Sequence, residues 1–313
     1  MNGSISNVNL TKPQAVTVDG NIEDRHKKTM GSLGDPPILG DVSENSVAEA
    51  PNSEVEYIES ENLKDVEDVE NCLQTLLSGL GSKDWISVCD ALNNVRRLSI
   101  FHKEAIVDML SDVISLIVKS LKNPRSAVCK TAIMTSADIF KAYNDEIFDS
   151  LDSLLVPLLL KSSQDKKFVC EAAESALIAM TKCVSPLLLL PKLQSHIKNK
   201  NPRIRAKASL CISRTVPRLG VDGIEAYGIE NLIQIGASQL IDKLPESRDA
   251  ARTLLLELKS VYEKSHVSEP TDESEEPGTT SWEHFCKSKL SPLSAQAVLR
   301  VTNIAREGLA SGS

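Results

Sequence analysis

From Val66 to Leu258 the apolar residues recur every three or four positions, the spacing that lines one face of a helix. Val66, Val69, Leu73, Leu76, Leu77 and Leu80 form a first stripe, ended by Gly79 and Gly81. Asp84-Trp85 opens a second, carrying Val88, Ala91, Leu92, Val95 and Leu98. A third runs from Ile106 to Leu121 and a fourth through Val128, Ala132, Thr135 and Ile139. Phe148 to Leu158 leads through Gln164-Asp165-Lys166-Lys167 into Val169, Ala173, Ala176, Leu177 and Met180. Leu187 to Ile197, with a kink expected at Pro191, leads into Ile204, Ala208, Cys211 and Ile212. A last pair is predicted over about 224–241 and from Ala250 to Leu258.

Two joints between these helices resemble each other. Lys122-Asn123-Pro124-Arg125 and Lys200-Asn201-Pro202-Arg203 each stop an apolar run, offer Asn as a cap and open a new helix with Pro. Aligning the helices that follow puts Val128, Val169 and Ile204 at one position and Ala132, Ala173, Ala208 and Ala251 at another. Each pair is apolar on a face that it cannot cover alone, and stacking buries those faces as one core. The pattern predicts an all-α HEAT/armadillo-type α-solenoid of about five to six antiparallel helix pairs over residues 65–266. Residues 1–64 are polar, acidic and aperiodic and are expected to be a disordered acidic N-terminal region. An acidic linker at 267–281 precedes a C-terminal amphipathic helix segment at 282–313, expected to fold back on the body.

Composition narrows the function. Only 4% of the chain is aromatic, which disfavours sheets, and the net charge is −8. That charge is unevenly placed: residues 1–68 hold 5 Lys/Arg and 14 Asp/Glu, residues 69–266 hold 26 and 22, and residues 267–313 hold 4 and 7. A mildly basic body lies between acidic ends. Seven cysteines sit mostly inside helical stripes, without Cys-x-x-Cys or Cys/His spacing, so neither a disulfide framework nor a metal site is expected. The start has no signal-peptide pattern, and the longest apolar runs are too short for a bilayer, so a cytoplasmic protein with no membrane contact is expected. No phosphate loop, nucleophile elbow or partnered histidine occurs, which argues against an enzyme and against a cofactor. Nucleic acid is disfavoured as well, because the body lacks aromatics interleaved with its basic residues.

What remains is an edge. In a stack of antiparallel pairs the turns within each pair emerge on one side. Here they carry Lys83 with Trp85, Lys122 with Arg125, Lys166 with Lys167, Lys198, Lys200, Arg203 and Arg205, and Lys243 with Arg248. Any one of these cations merely solvates its turn; five turns together form a ridge that steers an acidic partner. Trp85 is either a lid over the first pair or an anchor shown to that partner.

These residues resemble the TOG domain of the CLIP-associating (CLASP) and crescerin/TOGARAM families. The most specific element is Lys83-Asp84-Trp85 followed by Ala91-Leu92, similar to the first TOG turn. The resemblance implies a non-catalytic module of the microtubule cytoskeleton that binds tubulin or microtubules through its basic turns. It implies Trp85, Lys83, Arg125, Lys166, Lys167, Lys200, Arg203 and Arg248 as contact residues. The alternative is a HEAT-repeat scaffold or adaptor for another acidic protein partner, through a groove along the second helices.

Overall fold

A computed structural model describes residues 57–267 and 281–310. Residues 1–56 and 268–280, assigned from composition to mobile acidic segments, lie outside the described residues. The described residues form helices and turns with no strand. Five helix pairs come first: α1 (Val69–Leu80) with α2 (Trp85–Phe101), α3 (Leu110–Leu121) with α4 (Ser126–Tyr143), and α5 (Leu151–Lys161) with α6 (Lys167–Cys183). Then α7 (Pro186–His196) pairs with α8 (Pro202–Thr215), and α9 (Gly220–Tyr227) and α10 (Ile229–Gln239) with α11 (Pro245–Val267). A sixth pair, α12 (Trp282–Lys289) and α13 (Pro292–Ala310), follows and packs against α10 and α11. The second helices stack in order, α2 on α4 on α6 on α8 on α11.

The stacking register explains the alanines. The seventh residue of each of these second helices is alanine: Ala91, Ala132, Ala173, Ala208 and Ala251, all buried. A methyl at that position lets neighbouring helices approach closely, and a larger side chain there would overpack the stack. Val128, Val169 and Ile204 are likewise the third residues of their helices, all buried. Gly236 serves the same purpose in α10: an added Cβ would lie 2.8 Å from the Leu255 side chain.

Two details differ from the pattern. The two Asn-Pro joints are not alike: Asn201 caps α8 and Pro202 is its first residue, whereas α4 begins two residues after Pro124. The two asparagines nevertheless make the same bond, each accepting the amide two residues on: Arg125 at 2.9 Å for Asn123 and Arg203 at 3.0 Å for Asn201. The helix expected over 224–241 is broken in two at Gly228, whose φ of +100° suits only glycine.

The segment before α1, grouped by its composition with the acidic tail, is a strap laid across the second-helix face. Leu63 is buried, Ser60–Asn62 form a 3-10 turn, and Ser60 reaches a buried ion pair. In that pair Arg96 of α2 donates from Nε to Asp138 of α4 at 2.8 Å, both side chains essentially inaccessible. Ser60 Oγ accepts from Arg96 Nη2 at 3.3 Å and donates to Asp138 at 2.7 Å. Asn93 accepts from Arg96 Nη1 at 3.1 Å, so the pair is hydrogen-bonded as a buried charge must be.

Candidate functional site on the turn edge

The first turn is closed by Asp84. Its carboxylate accepts the Ile86 amide at 3.4 Å, the Ser87 amide at 3.0 Å and the Ser87 hydroxyl at 2.7 Å. Those Ser87 bonds, with the charge of Arg125 adding to them, hold the Asp84 carboxyl below its usual value. The capped helix start fixes Trp85 as the first residue of α2, half-buried against the core. Its indole N–H makes no hydrogen bond to any described residue. The Arg125 guanidinium lies over the same ring, 5.3 Å from its centroid. Trp85 is thus partly buried, packed against the core with a guanidinium over its ring.

The remaining turns are tied to one another at the spacing of one repeat. Lys166 donates to Ser126 Oγ at 2.7 Å, joining the third turn to the second. Arg203 donates to the Ser163 carbonyl at 2.9 Å, joining the fourth to the third. Arg205 pairs with Asp242 at 2.6 Å, joining the fourth to the fifth. Within the fifth turn Arg248 donates to the carbonyls of Asp242 and Lys243, at 2.8 and 3.0 Å. Burial alone would push the Asp242 carboxyl up, but bonds from Arg205 and from the Leu244 amide hold it below the usual value. Behind the edge, buried Lys207 of α8 reaches Glu174 of α6 at 2.8 Å and Glu246 of α11 at 3.2 Å.

The eight residues singled out in the sequence thus fall into two groups. Arg125, Lys166, Arg203 and Arg248 brace the edge, and all but Arg248 remain exposed. Lys83 and Lys200 are exposed and make no ion pair with a described residue. Lys167 is 88% exposed and only grazes Glu171 at 3.7 Å. Trp85 belongs to both groups. All eight lie in, or at the helix start after, one of the turns.

Sequence reasoning missed the apolar tip of the fifth turn. Ile241 is 82% exposed, although it was assigned to the end of a helical stripe. Ile86 and Phe168, the second residues of α2 and α6, are also more than two-fifths exposed. Their place beside helix starts, off the buried stripe, is the signal that marks them.

No cluster of metal-ligating side chains occurs among the described residues. Burial pushes the Cys211 and Cys286 thiols up, each to about 12, so both are protonated at neutral pH. No helix among the described residues is long and apolar enough to cross a membrane.

Comparison with known proteins bears on the fold and the family. The chain is 29% identical over 157 residues to the mouse (Mus musculus) TOG array regulator of axonemal microtubules protein 1, covering 49% of this chain and 9% of that protein. The chain therefore spans a small fraction of that relative's length. The fold superimposes on a TOG domain of Zyg9 from C. elegans with a TM-score of 0.53, at 17% identity, over 79% of this chain and 91% of that one. It also superimposes, with the same TM-score and 16% identity, on a structure describing tubulin recruitment and assembly by microtubule polymerases with TOG domain arrays. That match covers 77% of this chain and 48% of the other. Residues 99–268 match the CLASP N terminal family, and the chain belongs to that family.

Proposed function

We propose that this chain is a non-catalytic module that binds tubulin through its turn edge and acts at cytoplasmic microtubules. The observation that carries this is the braced edge: five turns joined in one line, with Trp85 half-exposed at one end and Lys83, Lys167 and Lys200 projecting from it. A rigid edge loses little conformational entropy on docking, and its cations favour an acidic partner. The relative named for axonemal microtubules and the structural neighbour that recruits tubulin support the choice of partner. In this proposal residues 65–266 are the binding body, and α12 and α13 cap its far end. Trp85 is the anchor, Lys83, Lys167 and Lys200 steer, and Arg125, Lys166, Arg203 and Arg248 hold the surface in shape while adding charge. The test is binding of the full chain to unpolymerised tubulin by interferometry over a range of salt. Saturable binding that weakens as salt rises is expected; an absence of binding at low salt overturns the proposal.

A further inference from the structure

The apolar tip of the fifth turn stands on a buried polar network. Gln239, the last residue of α10, is 5% exposed. Its side-chain oxygen accepts from Ser209 of α8 at 2.9 Å and from Ser247 of α11 at 3.0 Å. Its side-chain nitrogen donates to the Ile197 carbonyl, just past α7, at 3.4 Å. Elements of the fourth and fifth pairs thus converge on one side chain, and a satisfied buried network holds a single geometry. Ile241 follows two residues later. The turn around it is closed by Asp242, whose amide donates to the Gln239 carbonyl and whose carboxylate accepts the Leu244 amide, both at 3.1 Å. Arg205 joins that carboxylate, at 2.6 Å, to the Asn199 carbonyl of the fourth turn, at 2.8 Å. The fourth and fifth turns are therefore one braced block.

A single exposed apolar side chain is ordinary on a protein surface. Two observations set Ile241 apart. At 82% it is the most exposed large apolar side chain among the described residues, on a turn held too firmly to fold it inward. The charge around it is also one-sided. Asp242, Glu246 and Asp249, the carboxylates of the fifth turn and the helix start after it, are paired with Arg205, Lys207 and Arg252. Lys198, Lys200 and Lys243, from the same two turns, are exposed and pair with no carboxylate among the described residues. An isoleucine amid unneutralised ammonium groups is complementary to an apolar recess with an acidic rim.

We propose that Ile241 is a second anchor of the turn edge, entering an apolar recess rimmed by carboxylates on the folded surface of the partner, with Lys198, Lys200 and Lys243 facing that rim. The proposal rests on the tubulin-binding role of the edge and adds Ile241, Lys198 and Lys243 to its contact residues. Trp85 and Ile241 stand four helix-to-helix steps apart, roughly 35 Å at the usual packing distance between helices. An anchor at each end of a braced edge fixes how the partner lies along it.

The test uses the full chain and unpolymerised tubulin, read by interferometry at low and high salt. Ile241→Ser is expected to speed dissociation roughly tenfold at both salts, because a desolvated anchor acts after docking. Its association rate and unfolding midpoint are expected to match the wild type. Ile241→Leu keeps the apolar volume and is expected to stay within about twofold of the wild type. Lys198→Ser with Lys243→Ser is expected to slow association roughly two- to threefold at low salt, the loss vanishing as salt screens it. Dissociation of Ile241→Ser at the wild-type rate overturns the anchor and leaves tubulin binding in place. Early melting of that variant makes Ile241 a packing residue and overturns the anchor as well. Equal losses in Ile241→Ser and Ile241→Leu overturn the apolar recess. Wild-type chain that binds no tubulin at low salt overturns the role of the edge, and this anchor with it.

Discussion

The chain has two tryptophans, and the surroundings of each set its work. Trp282, the first residue of α12, is 5% exposed. Its indole N–H donates to Thr302 of α13 at 3.1 Å, and its ring packs edge-on to Tyr262 at 5.5 Å and against Phe285 at 5.7 Å. Tyr262 and Phe285 are themselves 4.7 Å apart, so one aromatic cluster holds the sixth pair to α11. Trp85 also begins a helix, yet it stays half-exposed, has no partner for its N–H among the described residues, and lies beneath a guanidinium. A buried Trp finds a hydrogen-bond partner; one at an interface keeps its polar tip for what comes. The first region is a staple; the second is the surface that meets the partner in the proposed function.

The comparison is broken most directly by exchanging the losses. Trp282→Ala is expected to destabilise the docking of α12 and α13 by about 3–5 kcal/mol, the usual cost of emptying an aromatic site. Thermal or urea unfolding reads this, while tubulin affinity of the folded fraction stays unchanged. Trp85→Ala is expected to do the reverse. It should accelerate dissociation of tubulin by roughly thirtyfold, about 2 kcal/mol, with little change in unfolding midpoint. A Trp85 variant that melts early and binds normally would make this residue a second staple.

Smaller effects sharpen the contrast between bracing and steering charges. Asp242→Asn weakens the Arg205 link and should cost roughly 1–2 kcal/mol of stability. The sign with pH follows from its depressed folded value. The carboxylate contributes stability above its unfolded pKa, and the contribution is lost as pH falls through the folded value. The difference between wild type and variant, followed by urea unfolding from neutral to acid pH, should therefore shrink as the medium becomes acidic. The smallest effect is kinetic. Lys83→Glu with Lys200→Glu, neither paired with a described carboxylate, should slow association a few fold at low salt and leave the unfolding midpoint unchanged. Changing Lys166 mixes the two kinds of effect, because its ammonium also holds Ser126.

How much of this was visible beforehand varies by element. The stripes around Val128, Val169 and Ile204 needed only the helical period, because each face is buried by a copy of the same unit. The cap at Asn201 and the closed turn at Asn123 were local matters, settled within a few residues. The strap was not visible, because Tyr57, Ser60 and Leu63 sit among glutamates with no period and find their partners many residues away. The break at Gly228 was hidden inside a stripe that continued on both sides of it. The site residues were legible as a set of basic turns, but not as braces and free charges. Arg203 and Lys200 look equivalent in sequence, and only the Ser163 carbonyl, brought close by stacking, tells them apart.

Periodicity by itself determined that this chain stacks helix pairs, that alanines face one another between the second helices, and that the turns gather on one edge. These follow from side-chain size and spacing, which act over neighbouring residues. Tertiary structure alone decided which tryptophan is shown, which cations hold the edge, and that a piece of the acidic segment crosses the buried Arg96–Asp138 pair. Except for Arg248, whose acceptors lie in its own turn, each of those depends on groups well separated in sequence meeting at hydrogen-bond or ring-contact distance, and no local pattern encodes such a meeting.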